Sequence, residues 1–174
     1  AQAFRNGTPF SPVYSEKLIL HKATGKPYRM ENVNPSYSGG HPYALTDGIV
    51  AKSNAWNRWV GTLGKDMDIQ IDLLEVMAIH KISIQFYNAP DSWIYGPTEV
   101  TFYTSNNGND WLEIEKKVWN DAEYQLKGIK EVLFLKNTSV RFIRIVAKSI
   151  GKIPIGAQGE GNDAHLFCNE IVVE

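Results

Sequence analysis

The sequence predicts an all-β chain folded as an antiparallel β-sandwich. Three observations support this: short segments alternate apolar and polar side chains, turn-forming residues separate them, and no long stretch repeats apolar residues at the helical period. Many short strands, each with one apolar face, are typical of two sheets packed face to face.

The strand candidates follow one another along most of the chain. In residues 67–73 the odd-numbered residues are apolar and the even-numbered ones are polar, which places one face of this strand in a core. Residues 81–86 repeat the alternation. The other candidates are EKLILHK, EVTFYTS, WLEIEKKV, KEVLFLK, VRFIRIVAK and HLFCNEIVV, with turn motifs such as SNNGND and YGP between strands.

Length and composition indicate a single globular domain. The 174 residues are enough for a sizeable core, and the contents of 43% hydrophobic and 21% charged residues are ordinary. Residues 1–12 are interpreted as an N-terminal tail and residues 13–174 as the domain. Within it, residues 21–43 contain few apolar side chains, so we expect a hairpin and a long connection there.

Charge and hydropathy exclude several classes of partner. A net charge of -1 without a Lys/Arg cluster does not suit a protein that binds the phosphate backbone, so we expect no nucleic-acid partner. No apolar run approaches the length of about 20 residues that spans a membrane, and the N-terminus does not resemble an intact signal peptide. The single cysteine, Cys168, excludes an internal disulfide and is expected in the core.

Motifs of enzymes are missing from the sequence. It contains no G-x-S-x-G, no H-E-x-x-H and no glycine loop that would cradle a phosphate, and its four histidines are scattered. We therefore expect that the chain itself has no catalytic activity.

Glu170 lies within LFCNEIVV, with apolar residues on both sides. A buried carboxylate is costly unless it is paired or binds a metal. One interpretation is a salt bridge to Arg141 or Arg144. The other is a calcium site, in which the Asp47-Gly48 turn would supply a second carboxylate and a tight loop of backbone carbonyls.

Aromatic residues are numerous, with five tryptophans and eight tyrosines. Trp56, Trp59, Trp93 and Tyr95 lie in segments rich in polar turn-forming residues. Exposed loop aromatics can stack on the apolar face of a sugar while polar neighbours bind its hydroxyls. Alternatively, each tryptophan plugs one end of the sandwich. The residues alone leave both interpretations open.

Five segments occur in the order found in a known family: ALTDG, WVGTLGKDMDIQIDL, WIYGPTEVTFYTSNNGNDWLEI, VRFIRIVAK and NDAHLFCNEIVV. Over residues 40–174 the chain resembles a discoidin domain, also called a coagulation factor V/VIII type C domain. The upstream LHKATGKPYRM and YSGGHPYALTDG are similar to the C-terminal discoidin module of bacterial family 20 glycoside hydrolases, of chitobiase or β-hexosaminidase type. Such modules resemble family 32 carbohydrate-binding modules.

The resemblance implies a jelly-roll-like sandwich of discoidin type with a structural calcium near its ligand-binding end. Asp47 and Glu170 match the positions of the side-chain ligands. Further ligands implied by the resemblance are backbone oxygens near Ala44, Ile49 and Asn169 and an atom of Ser53 or Asn54. An anchored loop of this kind would present Trp56 and Trp59 near the binding face.

The sequence therefore predicts a non-catalytic carbohydrate-binding module, an appendage of a bacterial glycan-degrading enzyme that is secreted, periplasmic or on the cell surface. The expected sugar contacts are Trp56, Arg58, Trp93, Tyr95 and Asn162, the aromatics stacking and the others binding hydroxyls. One alternative is a structural or interaction module that packs on a catalytic domain without binding sugar. Membrane recognition is a third possibility, which the low positive charge of SNAWNRW and APDSWIYG disfavours.

Overall fold

A computed structural model describes residues 2–13, 15, 17–52, 55–120 and 127–174. These residues form nine strands: β1 (Phe4–Arg5), β2 (Thr8–Pro9), β3 (Tyr28–Met30), β4 (Val60–Leu63), β5 (Met67–Asn88), β6 (Glu99–Ser105), β7 (Leu112–Val118), β8 (Gly128–Lys148) and β9 (His165–Val173). They also form three short 3-10 helices, Pro35–Tyr37, Trp56–Arg58 and Pro90–Ser92.

Two long antiparallel strands, β5 and β8, run through both layers of the sandwich. The first half of β5 pairs with β3 and with the second half of β8, whose other neighbour is β6, followed by β7. The second half of β5 pairs with the first half of β8 and with β9, which in turn pairs with β4. The β5–β8 register shifts between Asp72 and Met77, where the strands bend from one layer into the other.

The main core lies between these layers, because alternate residues of every long strand point inward. The alternating apolar residues of residues 67–73 and 81–86 are all buried, as predicted. On β9, Leu166 and Cys168 join this core. Phe167 points the other way, into a second cluster formed by Ala51, Trp59, Tyr87, Ala89, Ile94 and Phe167. This second cluster supports the loop that precedes β4.

The predicted all-β antiparallel sandwich is confirmed. EVTFYTS and HLFCNEIVV coincide with β6 and β9, whereas the candidates at residues 67–73 and 81–86 are parts of one strand, β5. The two candidates KEVLFLK and VRFIRIVAK are likewise parts of β8. No helix among the described residues is long and apolar enough to cross a membrane.

Two predictions before residue 44 were wrong. The described part of EKLILHK is not a strand: Ile19 N donates to Gly48 O at 2.8 Å and Lys22 N to Val173 O at 2.8 Å, so the segment is bonded to two different elements and to no single partner strand. Residues 21–43 contain β3, which pairs with β5, and no hairpin. The predicted tail contains a small hairpin of β1 and β2, and the domain boundary at residue 13 stays a prediction.

Candidate functional site

Trp59 is a core residue and does not face a ligand. Its side chain is fully buried, it stacks on Tyr87 with ring centroids 5.3 Å apart, and its Nε1 donates to Lys52 O at 3.2 Å. For this tryptophan the structure therefore supports the plug interpretation and not presentation on the binding face.

Trp56, three residues earlier, is 42% exposed. It opens the 3-10 helix Trp56–Arg58 and contacts Tyr87 edge to face at 5.7 Å between ring centroids. The side chain of Asn169 on β9 holds both arms of this loop, since its Oδ1 accepts from Ala51 N at 2.6 Å and its Nδ2 donates to Arg58 O at 2.9 Å. Trp56 is thus exposed between two backbone groups that Asn169 holds, at Ala51 and at Arg58.

A pocket of about 290 Å³ lies beside Trp56, which we call the aromatic pocket. Its described lining residues are Tyr37, Trp56, Ser92, Ile94, His165 and Phe167. Tyr37 contacts Phe167 at 4.7 Å and His165 at 5.3 Å between ring centroids, which makes one wall of the pocket aromatic. Lys, Arg, Asp and Glu are missing from this described lining. Small-molecule sites commonly have this form, apolar walls with a few polar groups.

His165 brings a partly buried imidazole into the lining of the aromatic pocket. Its Nδ1 is buried and has no hydrogen-bond partner among the residues that the structure describes. Burial lowers the pKa of the His165 imidazole below its ordinary value, and a hydrogen bond to the Thr62 backbone opposes this lowering. A buried polar atom without a partner is costly.

Of the five predicted sugar contacts, the structure places only Trp56 in the lining of the aromatic pocket. Tyr95 is buried and its hydroxyl donates to Gln158 O at 2.7 Å, so it is not available to a sugar and we withdraw it from the site. The Arg58 guanidinium lies 3.5 Å from Asp47 Oδ2.

Trp93 and Asn162 are not in the lining of the aromatic pocket. Trp93 is 41% exposed, and a Cβ added to Gly159 would lie 2.5 Å from its Cδ1, so the ring packs directly against that glycine. Asn162 is exposed, and its amide donates to Gly159 O at 3.0 Å within the same loop. Ile94 is buried, whereas Trp93, the left-handed C-cap residue of the 3-10 helix Pro90–Ser92, stays partly exposed.

The sequence reasoning missed Tyr37, His165 and Phe167. His165 and Phe167 are two apart on β9, so they share the face opposite Leu166 and Cys168. That alternation could have indicated that His165 and Phe167 lie together on the face away from the main core. Tyr37 carried none, because it lies in a turn-rich segment whose position depends on contacts with distant residues.

Of the expected calcium ligands, Asp47 and Ile49 lie in the turn that precedes the Trp56 loop, and Asn169 and Glu170 lie on β9. Asp47 Oδ1 accepts from Ile49 N at 2.7 Å, and Asp47 Oδ2 lies 2.9 Å from His41 Nε2. Ala44 is buried in the main core, the Asn169 side chain bonds the loop backbone as described above, and Asn54 lies outside the described residues, as does Ser53.

Glu170 is buried, as its sequence context predicts, but its partner is neither Arg141 nor Arg144. Those arginines pair with aspartates of β5, and Glu170 Oε1 contacts His21 Nε2 at 2.7 Å. Burial raises the pKa of the Glu170 carboxyl, and hydrogen bonds from His21 and Gly48 oppose the rise. Across the described residues, no group of three or more His, Cys, Asp or Glu could hold a metal ion. The cofactor expectation stays a prediction that experiment must test.

Solved structures with a similar fold include three carbohydrate-related domains. Chitosan-binding module 1 from the chitosanase/glucanase of Paenibacillus sp. IK-5 is 12% identical, with 90% of this chain and 99% of that chain covered at a TM-score of 0.53. CpGH89CBM32-5 of Clostridium perfringens, in complex with GalNAc-β-1,3-galactose, is 18% identical, with 85% and 94% covered at a TM-score of 0.53. The lectin domain of lectinolysin, complexed with Lewis B antigen, is 16% identical, with 91% and 98% covered at a TM-score of 0.54. At these identities the likeness shows a shared fold.

Sequence comparison gives the family. No curated protein matches the chain. Residues 30–161 match the F5/8 type C domain, which is most of the chain and contains Trp56 and the strands β4–β8. The antiparallel sandwich agrees with that match, and the chain therefore belongs to the F5/8 type C domain family.

Proposed function

We propose that the chain is a non-catalytic carbohydrate-binding module that holds a neutral glycan in the aromatic pocket. The observation that carries this proposal is Trp56, which is 42% exposed and lines a pocket together with Tyr37 and His165. Because the described lining contains no carboxylate, lysine or arginine, the pocket offers no countercharge to an acidic or basic sugar.

The pocket combines the two kinds of contact that a sugar ring needs. Aromatic rings of Trp56 and Tyr37 can cover the apolar C–H face of a pyranose, while its hydroxyls need hydrogen-bond partners. Ser92 and His165, two polar residues of the pocket lining, can supply such partners. The solved structures support the proposal, since the three domains named above are described as binding chitosan or as complexed with glycans.

We further propose that the module serves a bacterial glycan-degrading enzyme, of chitobiase or β-hexosaminidase type, outside the cytoplasm. The chitosan-binding module of similar fold derives from a chitosanase/glucanase, which supports this setting. A binding module raises the effective concentration of a tethered catalytic domain at its substrate, without taking part in the reaction.

A glycan array tests the proposed function. The purified chain is applied to an array that holds neutral, sialylated and sulfated glycans. We expect binding to a limited set of neutral glycans and weaker binding to acidic versions of the same structures. A folded chain that binds no glycan would contradict the proposal and favour the alternative, a module that packs on a catalytic domain without binding sugar.

A further inference from the structure

Glu170 is held by N–H donors from two distant parts of the chain. Its Oε1 lies 2.7 Å from His21 Nε2 and accepts from Gly48 N at 3.0 Å. The tautomer of His21 follows from its other ring nitrogen, since Nδ1 accepts from Ala23 N at 3.2 Å and from Val173 N at 3.4 Å. The ring hydrogen is therefore on Nε2 and is donated to Glu170.

Asp47, the second expected ligand, is also occupied. Its Oδ1 accepts from Ile49 N at 2.7 Å, and its Oδ2 faces both His41 Nε2 at 2.9 Å and Arg58 Nη1 at 3.5 Å. His41 Nδ1 accepts from Tyr43 N at 3.2 Å, so Nε2 carries the hydrogen that is donated to Asp47.

These contacts do not suit a calcium ion. Calcium binds about six to eight oxygens at about 2.3–2.6 Å, and its carboxylate ligands must turn lone pairs toward it. Here a guanidinium and two ring N–H groups already point at the carboxylates, and a guanidinium beside Asp47 would repel a divalent cation. Of the four oxygens of these two carboxylates, Glu170 Oε2 alone is buried without a described partner, so the two side chains offer a cation one free oxygen.

We propose that N–H donors of this chain take the place of calcium, and that His21, Gly48 and Glu170 form a metal-free latch. The latch joins the segment before β3, the Asp47 turn and β9, while Asp47 and Arg58 fasten the loop that carries Trp56. The Asp47 turn and Arg58 are thereby held in place before any ligand arrives, which lowers the entropic cost of binding at Trp56. This inference reverses the calcium expectation drawn from the family resemblance.

The first test measures thermal unfolding of the full chain after treatment with a chelator and during titration with calcium chloride. A ligand that binds only the folded state raises the melting temperature in a saturable manner. We expect a shift of less than about 1 °C at every calcium concentration. A saturable rise of several degrees would overturn the proposal.

The second test removes the donor of the latch. His21→Phe keeps a ring but leaves Glu170 without its side-chain donor, and we expect the melting temperature to fall by on the order of 3–8 °C. His80→Phe is the matched control, because His80 has a side chain that is 60% exposed, and it should melt as the wild type does. If His21→Phe does not fold, His21→Gln, which keeps an N–H donor, provides the comparison with a smaller expected fall. A wild-type melting temperature for His21→Phe would overturn the latch.

A third measurement connects the latch to sugar binding. Of the three tests, this one alone rests on the proposed function. Affinity for a glycan found on the array should be equal in chelator and in calcium. Loss of affinity in chelator would overturn a metal-free latch. If the chain binds no glycan at all, the proposed function fails, while the two unfolding tests still decide the latch.

Discussion

Trp56 and Tyr87 lie edge to face, with ring centroids 5.7 Å apart and an angle of 63° between their planes. Trp59 uses the same tyrosine differently, stacked on it at an angle of 25°. One tyrosine of β5 thus supports two tryptophans with opposite exposures, 42% for Trp56 and 0% for Trp59. Substitution of the two tryptophans should separate binding from stability.

Trp59→Ala should mainly destabilise the fold. Removal of a fully buried tryptophan leaves a cavity beside Tyr87 and Phe167, and the expected loss of unfolding free energy is about 3–5 kcal/mol. Urea denaturation followed by circular dichroism measures this loss. A loss below about 1 kcal/mol would show that Trp59 is not the plug described above.

Gly61→Ala should strain the floor of the aromatic pocket. A Cβ at Gly61 would lie 2.4 Å from Phe167 Cε1, so the ring must move, at an expected cost of about 1–3 kcal/mol in unfolding free energy and with weaker glycan binding. Phe167→Leu removes the clashing ring atoms. In a double-mutant cycle of urea midpoints, the pair should therefore cost less than the sum of the single substitutions. If the stability losses of the two single substitutions simply add in the double variant, the contact between residue 61 and the Phe167 ring would be contradicted.

Trp93→Ala should leave glycan affinity almost unchanged, within about twofold, because Trp93 packs against Gly159 and does not line the aromatic pocket. Its stability loss should also be smaller than that of Trp59→Ala, since its side chain is already 41% exposed. Calorimetric titration with an array-selected glycan measures the affinity. A fall as large as that of Trp56→Ala would return Trp93 to the binding site.

His165 should make stability fall at mildly acidic pH. Burial lowers its pKa below the ordinary 6.5, so the unfolded chain binds more protons than the folded chain as the pH falls through and below that value. The contribution of neutral His165 to the stability of the fold is thus fully present above pH 6.5 and is lost as the pH falls toward the pKa of His165 in the folded chain. Urea midpoints between about pH 7.5 and pH 5 should fall less in His165→Gln than in the wild type. An equal fall of the urea midpoint in both proteins would contradict the assignment of this pH dependence to His165.

The alternation of side chains predicted the sandwich because burial of a strand face is a local pattern. It also predicted β6 and β9 at their observed bounds. The alternation could not predict which of Trp56 and Trp59 is buried, since both lie in the same polar segment. Their different packing on Tyr87 of β5 decides this.

The partner of Glu170 could not be predicted from the sequence either. His21 lies 149 positions away, and nothing near either residue indicates the other. The arginines suggested by the sequence are on β8, where aspartates of the neighbouring strand β5 pair with them. Sequence reasoning thus identified a carboxylate that needs a partner, and the three-dimensional arrangement of the segments selected it.

The central claim is that a glycan binds against Trp56. The most direct test is calorimetric titration of one array-selected neutral glycan into the wild type, Trp56→Ala and the control Trp111→Ala, whose tryptophan lies at the turn beyond the far end of β6. We expect Trp56→Ala to lose about tenfold or more in affinity, equivalent to about 1.4 kcal/mol, while its fold and melting temperature are maintained and Trp111→Ala binds normally. Wild-type affinity in a folded Trp56→Ala would contradict the account.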